Sequence, residues 1–203
     1  ARHLLEAVNS VRSQTARADQ IIVVADGELT GELDKALSQL DRMSDITVYR
    51  LSENRGLGFA RDFAIRKSSS RYIAVMDADD ISRSDRFEKQ LNALQDSGVD
   101  IVGGYIREFS SSSSALRKVP LTHKSIFEEG KNRSPFNHVT VMFKREAYFA
   151  AGGYRAIRGV EDYDLWHRML MTGCKASNLS EILVDVRFGQ DDIHRRRGFA
   201  YLK

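Results

Sequence analysis

Three carboxylates crowd the stretch RYIAVMDADDIS at residues 71–82, where Asp77, Asp79 and Asp80 follow directly on the apolar run from Tyr72 to Met76. That run has the length and β-branched content of a buried strand. Burying unpaired carboxylates is costly, so acids at the end of a core strand should be solvated, hydrogen-bonded or holding a cation. Asp77 and Asp79 could both offer oxygens to one hard divalent cation. Mg²⁺ or Mn²⁺ bound this way takes one or two carboxylates and completes its shell with substrate phosphates. A solvated acidic turn, with Asp80 and Ser82 capping the next helix, would use the same residues. With 17 aspartates in 203 positions, about one or two Asp-x-Asp pairs arise by chance. Its place after a strand is what gives this pair weight.

The second pair lies in VEDYDLW. Glu161 and Asp162 stand where a helix should begin, with Leu165, Trp166, Met169 and Leu170 as its apolar band. The macrodipole favours acids in a first turn, so a purely structural role is open here too. The preceding GGYR has the freedom of a loop that brings a carboxylate to a ligand. In ENRGLGFARD, two glycines and two arginines enter a helix. The third glycine of a dinucleotide fingerprint is absent, but flexible backbone beside Arg55 and Arg61 suits diphosphate contacts. His138 in FNHVTV reads as a ligand, a general base or a satisfied structural histidine.

Helical and strand periods alternate around these residues. Leu4, Val8 and Val11 mark one helix, and IIVVADG (21–27) reads as a buried strand. Leu33, Leu37 and Leu40 mark a second helix, followed by the strand ITVYRL (46–51). Phe59, Ala60, Phe63 and Ala64 mark a third helix before the acidic strand end. SRSD from Ser82 resembles a capping box for a fourth, which carries Phe87, Leu91 and Leu94 and stops at Gly98. DIVGGYIREF then resumes strand character. Such alternation predicts an α/β fold with a mainly parallel sheet flanked by helices, whose ligands bind beyond the carboxyl ends of the strands. FSSSSSALRKVP reads as a turn or mobile loop that divides one domain, residues 1–203, into two parts, 1–109 and 110–203. A doubly wound sheet ordinarily opens on a strand and this chain opens on a helix. The expectation is an unfilled first-strand position beside IIVVA.

Composition bounds the alternatives. A net charge of +3, 42% hydrophobic and 29% charged residues are ordinary for a soluble globular domain. Cys174 is the single cysteine, which excludes an internal disulfide and a cysteine metal cage and is compatible with a reducing compartment. No basic helix, stacking motif or zinc spacing points to nucleic acid. The basic run from His194 to Gly198 reads as a solvated tail or a patch facing acidic lipid. No apolar run approaches the roughly 18 residues of a membrane span.

Taken together and in order, SVRSQT, IIVVADG, ENRGLGFARD, YIAVMDADDIS with DRFEKQL, VGGYIREF, FNHVTVMFKREA, GGYR and EDYDLWHRML resemble the family 2 glycosyltransferases of GT-A fold. The likeness is closest to bacterial members that assemble exopolysaccharide or lipopolysaccharide repeat units. It implies a Rossmann-like mixed sheet and inverting, metal-dependent transfer of a sugar from a nucleotide-diphosphate donor, with a UDP-sugar favoured, to a saccharide or lipid-linked acceptor. It implies a cytoplasmic enzyme, with the inner membrane face as a place of peripheral contact. By this resemblance Asp26, with Gly27, contacts the nucleotide base, and Arg55 and Arg61 serve the donor. Asp77 and Asp79 bind Mg²⁺ or Mn²⁺ and the diphosphate, Asp162 is the catalytic base beside Glu161, and His138 and Trp166 face the acceptor. The helix after the glycine loop departs from the usual Ala-Arg-Asn, reading Ala60, Arg61, Asp62. Two rivals remain: a non-catalytic nucleotide-sugar-binding domain, and a HAD-type phosphohydrolase, which also places Asp-x-Asp after a strand.

Overall fold

The computed structural model of the protein describes residues 1–157 and 159–188. The basic run at 194–198 lies outside the described residues. Helix α1 (Arg2–Arg12) buries Leu4, Ala7, Val8 and Val11, a stripe at helical spacing. Strand β1 (Ile21–Asp26), α2 (Gly31–Leu40), β2 (Ile46–Leu51) and α3 (Leu57–Lys67) follow in the alternation that the sequence predicts. Then come β3 (Tyr72–Ala74), β4 (Ile81–Ser82), α4 (Arg86–Asp96) and β5 (Ile101–Phe109). The remainder is β6 (Ser114–Arg117), α5 (His123–Glu129), a 3₁₀ turn (His138–Thr140), β7 (Met142–Lys144), α6 (Arg145–Ala150), α7 (Glu161–Met171) and β8 (Ala176–Arg187).

β1 and β2 pair in parallel, in register from Ile21–Ile46 to Asp26–Leu51. The other strands form a second sheet in the order β3-β7-β5-β8-β4, with β6 also paired to β5. The parallel ladders β1–β2 and β5–β8 hold six and nine residue pairs, and the antiparallel ladders hold two to four. Over the two sheets together the pairing is thus mixed and mainly parallel by paired length. Among the described residues β1 pairs only with β2, and β3 only with β7. A groove of about 490 Å³ lies between β1 and β3, lined by Ile21, Ile22, Ile73, Val75, Phe87 and Leu91 among others.

The main core gathers Trp166, Tyr148, Phe143, Phe136 and Leu165 between α7, α6, β7 and β5, and a second cluster joins α1 and α2 to β1 and β2. Strands from residues 1–109 pair directly with strands from residues 110–187. β3 lies against β7, β4 against β8, and β5 against both β6 and β8. Three local expectations are corrected. The serine-rich stretch holds a β-hairpin: Ser114–Arg117 pairs with Ile106–Phe109, with an irregular turn between them and an irregular exit after Arg117. Ser82 lies in β4, where its N–H donates to Ser10 Oγ at 3.0 Å, and α4 begins at Arg86, its N-cap Asp85 making no side-chain cap bond. Asp80 is buried and accepts the Arg187 N–H at 3.0 Å, pinning the end of β8. Burial, with Asp77 and Asp79 nearby, pushes its carboxyl up to about 7.

Beneath the acidic strand end lies a guanidinium. Arg86 is fully buried and donates to the Val75 carbonyl (2.8 Å) and to Gln90 Oε1 (2.9 Å). The Gln90 amide donates in turn to the carbonyls of Val102 and Thr140, at 3.0 and 2.7 Å. Desolvation lowers the Arg86 guanidinium to about 9. One helix thereby fixes both the approach to Asp77 and the turn that carries His138.

Candidate active site

Asp26 ends β1, and both of its oxygens are engaged by the glycine loop. Oδ1 accepts the Arg55 N–H at 2.8 Å and Oδ2 the Gly56 N–H at 2.7 Å. The Arg55 guanidinium stacks on Phe59, 3.6 Å from the ring centroid. Gly27 has φ +93°, and a Cβ there would sit 2.8 Å from the Asn54 nitrogen. Gly27→Ala should therefore destabilise the protein by about 1–3 kcal/mol and displace the loop. Denaturant titration measures the first effect, and calorimetry with UDP the second.

The glycine loop leads into α3, where Gly58 allows close packing: a Cβ would lie 3.3 Å from the Arg155 carbonyl and 3.4 Å from Glu161 Cβ. One turn on, Arg61 reaches Asp77 Oδ1 at 2.9 Å and stands 4.0 Å from Glu161 Oε1. This arginine joins the two acidic motifs. Asp79 is exposed at the Ala78–Asp79 turn, and its main-chain carbonyl is held by the Arg187 guanidinium at 2.7 Å. Among the described residues no three His, Cys, Asp or Glu side chains form a cation cage. Asp77 and Asp79 match a hard cation that takes its remaining oxygens from water and phosphate, the habit of Mg²⁺ and Mn²⁺.

Asp162 opens α7. Its Oδ1 accepts the Tyr163 N–H at 2.8 Å, while Oδ2 faces His138 Nδ1 at 3.9 Å. One oxygen of Asp162 thus takes a backbone N–H of the first turn of α7, and the other faces the histidine. Glu161 turns toward Arg61, with Oε2 unpartnered among the described residues. Burial raises the Asp162 carboxyl above its ordinary range, and the neighbouring Glu161 adds to this. Burial first, then Arg61 and Arg86, hold the His138 imidazole well below its ordinary value. Trp166, expected at the acceptor, is fully buried among Phe136 and Phe143. It touches the His138 ring, whose centroid lies 5.6 Å from its own at 31°.

The loop before α7 is fastened by Tyr148, Asp62 and Arg168. Tyr148 OH donates to Asp62 Oδ1 at 2.6 Å and accepts the Tyr154 N–H at 3.0 Å. Arg168 donates to the carbonyls of Ala151 and Gly153 while pairing with Asp164 at 2.6 Å. Asp62, the departure from Ala-Arg-Asn, is therefore an anchor of the GGYR loop. Tyr148→Phe should cost about 1–3 kcal/mol by leaving a buried donor and acceptor unpaired, and turnover should fall with it. Thermal melting beside kinetics checks both. Of these anchors only Asp164 and Arg168, at i and i+4, were visible as a pair in the sequence.

The structure thus joins Arg61, Asp77, Glu161, Asp162 and His138, drawn from α3, the end of β3, α7 and the 3₁₀ turn. Asp26, Gly27 and Arg55 form the adjoining loop anchor at the end of β1. The sequence profile described as "Glycosyl transferase family 2" matches residues 1–159. The UDP-Gal:alpha-D-GlcNAc-diphosphoundecaprenol beta-1,3-galactosyltransferase of Escherichia coli is 36% identical over 98% of this chain and 73% of its own length. The amylovoran biosynthesis glycosyltransferase AmsE of Erwinia amylovora is 32% identical over 99% of the chain and 76% of its own. The mannosyltransferase PcManGT of Pyrobaculum calidifontis, solved with GDP-Man and Mn²⁺, superposes with a TM-score of 0.75 at 19% identity. That match covers 97% of this chain and 56% of the PcManGT chain, and it establishes the likeness of fold.

Proposed function

The chain belongs to glycosyl transferase family 2, and from that premise we propose that it moves a sugar, with inversion, from a nucleoside diphosphate to a saccharide hydroxyl. The observation that carries this reading is the meeting of Arg61 with Asp77 at 2.9 Å on one side and Glu161 at 4.0 Å on the other. Asp162, whose carboxyl is raised by burial, follows Glu161 on the same helix and supports reading that helix start as the source of the base. A UDP-sugar is the favoured donor, since the 36%-identical relative is named for UDP-Gal. The same name motivates a lipid-linked acceptor and work at the inner face of a membrane. None of the described helices is long and apolar enough to cross one.

Asp162 Oδ2 takes the proton of the acceptor hydroxyl as its oxygen bonds to the anomeric carbon. The bond from that carbon to the diphosphate breaks on the opposite face, and its electron pair leaves with the phosphate. Arg61 offers the leaving group its guanidinium donors. Mg²⁺ or Mn²⁺, when held by Asp77 and Asp79, supplies charge neutralisation at the departing diphosphate. Asp26 keeps the glycine loop closed beneath the nucleotide base. Turnover of a panel of UDP-sugars with Mn²⁺ tests the reading: sugar transfer supports it, phosphate release marks a phosphohydrolase, and binding without turnover marks a non-catalytic domain.

A further inference from the structure

Asp162 and Trp166 stand four residues apart on α7, so they share one face of the helix. The His138 ring lies along that face, tilted on Trp166 at 5.6 Å and reaching Asp162 Oδ2 at 3.9 Å. Its turn is tied down on two sides. Thr140 Oγ1 accepts the Gly104 N–H at 3.0 Å, Asn137 Nδ2 donates to the Gly104 carbonyl at 2.9 Å, and Gln90 holds the Thr140 carbonyl at 2.7 Å. Both ring nitrogens are shielded from solvent and have no hydrogen-bond partner among the described residues. A neutral imidazole carries one N–H, and a carboxylate oxygen opposite Nδ1 selects the tautomer that donates to it.

We infer that His138 is a positioning residue for the base: its Nδ1–H holds Asp162 Oδ2 in place and leaves that oxygen's second lone pair for the acceptor hydroxyl. This rests on the reading of Asp162 as the base. Other charged and titratable groups act on the pair from each side. Glu161 precedes Asp162 on α7, Arg61 approaches from α3, Arg86 acts on His138 from α4, and Tyr154 of the preceding loop feels Asp162 and Asp77. Those groups are unchanged by substitutions at His138, so a shift in Asp162 reports the lost donor.

An asparagine at 138 sets an amide N–H near the place of Nδ1. A glutamine sets it near Nε2, and a phenylalanine keeps the stack on Trp166 with no donor. The test follows the Asp162 carboxyl by carbon-13 NMR in wild type, His138→Asn, His138→Gln and His138→Phe, with Asp162→Asn supplying the assignment. Transfer from UDP-galactose with Mn²⁺ is measured on the same proteins. Loss of the donor makes the carboxylate less favourable, so Asp162 should titrate about one pH unit higher in the Phe and Gln variants. It should return toward wild type in the Asn variant. Transfer should drop about 10- to 100-fold in Phe and Gln, the scale carried by partners that orient a functional ligand, and should be largely restored in Asn. Equal titration of Asp162 in all four proteins, or an Asn variant no closer to wild type than Phe and Gln, would overturn the inference. Full transfer by Asp162→Asn would instead remove the base reading, whatever the titration shows.

Discussion

Asp162→Asn should lower turnover by roughly 10²- to 10⁴-fold, the contribution of a general base, with donor affinity left within about twofold. The replacement is nearly isosteric, and its side-chain oxygen still accepts the Tyr163 N–H that Oδ1 now takes at 2.8 Å, so the helix start survives. What is lost is basicity at Oδ2. Glu161→Gln should be milder in kcat, because Glu161 faces the Arg61 guanidinium at 4.0 Å and its charge is already compensated. The sign of the pH dependence follows from burial. The folded Asp162 carboxyl is raised above the ordinary aspartate range, and the active form is the carboxylate. kcat/KM should therefore fall as pH drops through a value above about 3.9, the unperturbed aspartate pKa. Kinetics from pH 4 to 8 beside UDP titrations would check both halves. Undiminished turnover in Asp162→Asn with an inactive Glu161→Gln would move the base one residue back.

Asp79→Ala should do the opposite, weakening UDP binding in Mn²⁺ by about 10- to 100-fold, the worth of a charge-assisted contact. Asp79 is exposed and, among the described residues, its side chain holds no other element, so the fold should persist. Its backbone carbonyl still accepts from Arg187. Asp77→Ala should weaken binding similarly and also release Arg61, which Asp77 now holds at 2.9 Å. Calorimetry with UDP, in Mn²⁺ and in chelator, separates the two contributions. The Asp79 loss should vanish in chelator, where the metal-mediated part of the affinity is gone. A loss of equal size with and without Mn²⁺ would remove the metal from the assignment.

The fold was legible wherever periodicity was strong. The stripes of α1, α2 and α4, and the apolar runs of β1 and β5, appear where the sequence puts them. β6 was hidden because serine has little strand propensity, and only its pairing with Ile106–Phe109 makes it a strand. β3 is three residues rather than five, although Val75 continues beside β7 through a bond to the Val141 carbonyl at 2.9 Å. The motif residues were legible as types at strand ends and helix starts. Their partners were not. Asp80 looked like a cap and is a buried pin for Arg187. Trp166 looked like an acceptor platform and is the floor under His138. Asp62 meets Tyr148 across 86 residues of chain, and Arg86 turns back to Val75 from the helix that follows it; no periodic pattern announces either contact.

The central claim is that this cluster moves a sugar with inversion, and the anomeric configuration of the product tests it most directly. Proton NMR of the oligosaccharide formed from UDP-α-galactose, an acceptor saccharide and Mn²⁺ should show the large anomeric coupling of a new β linkage, absent when Asp162→Asn replaces wild type. An α-linked product, or phosphate released with no sugar transferred, would contradict it.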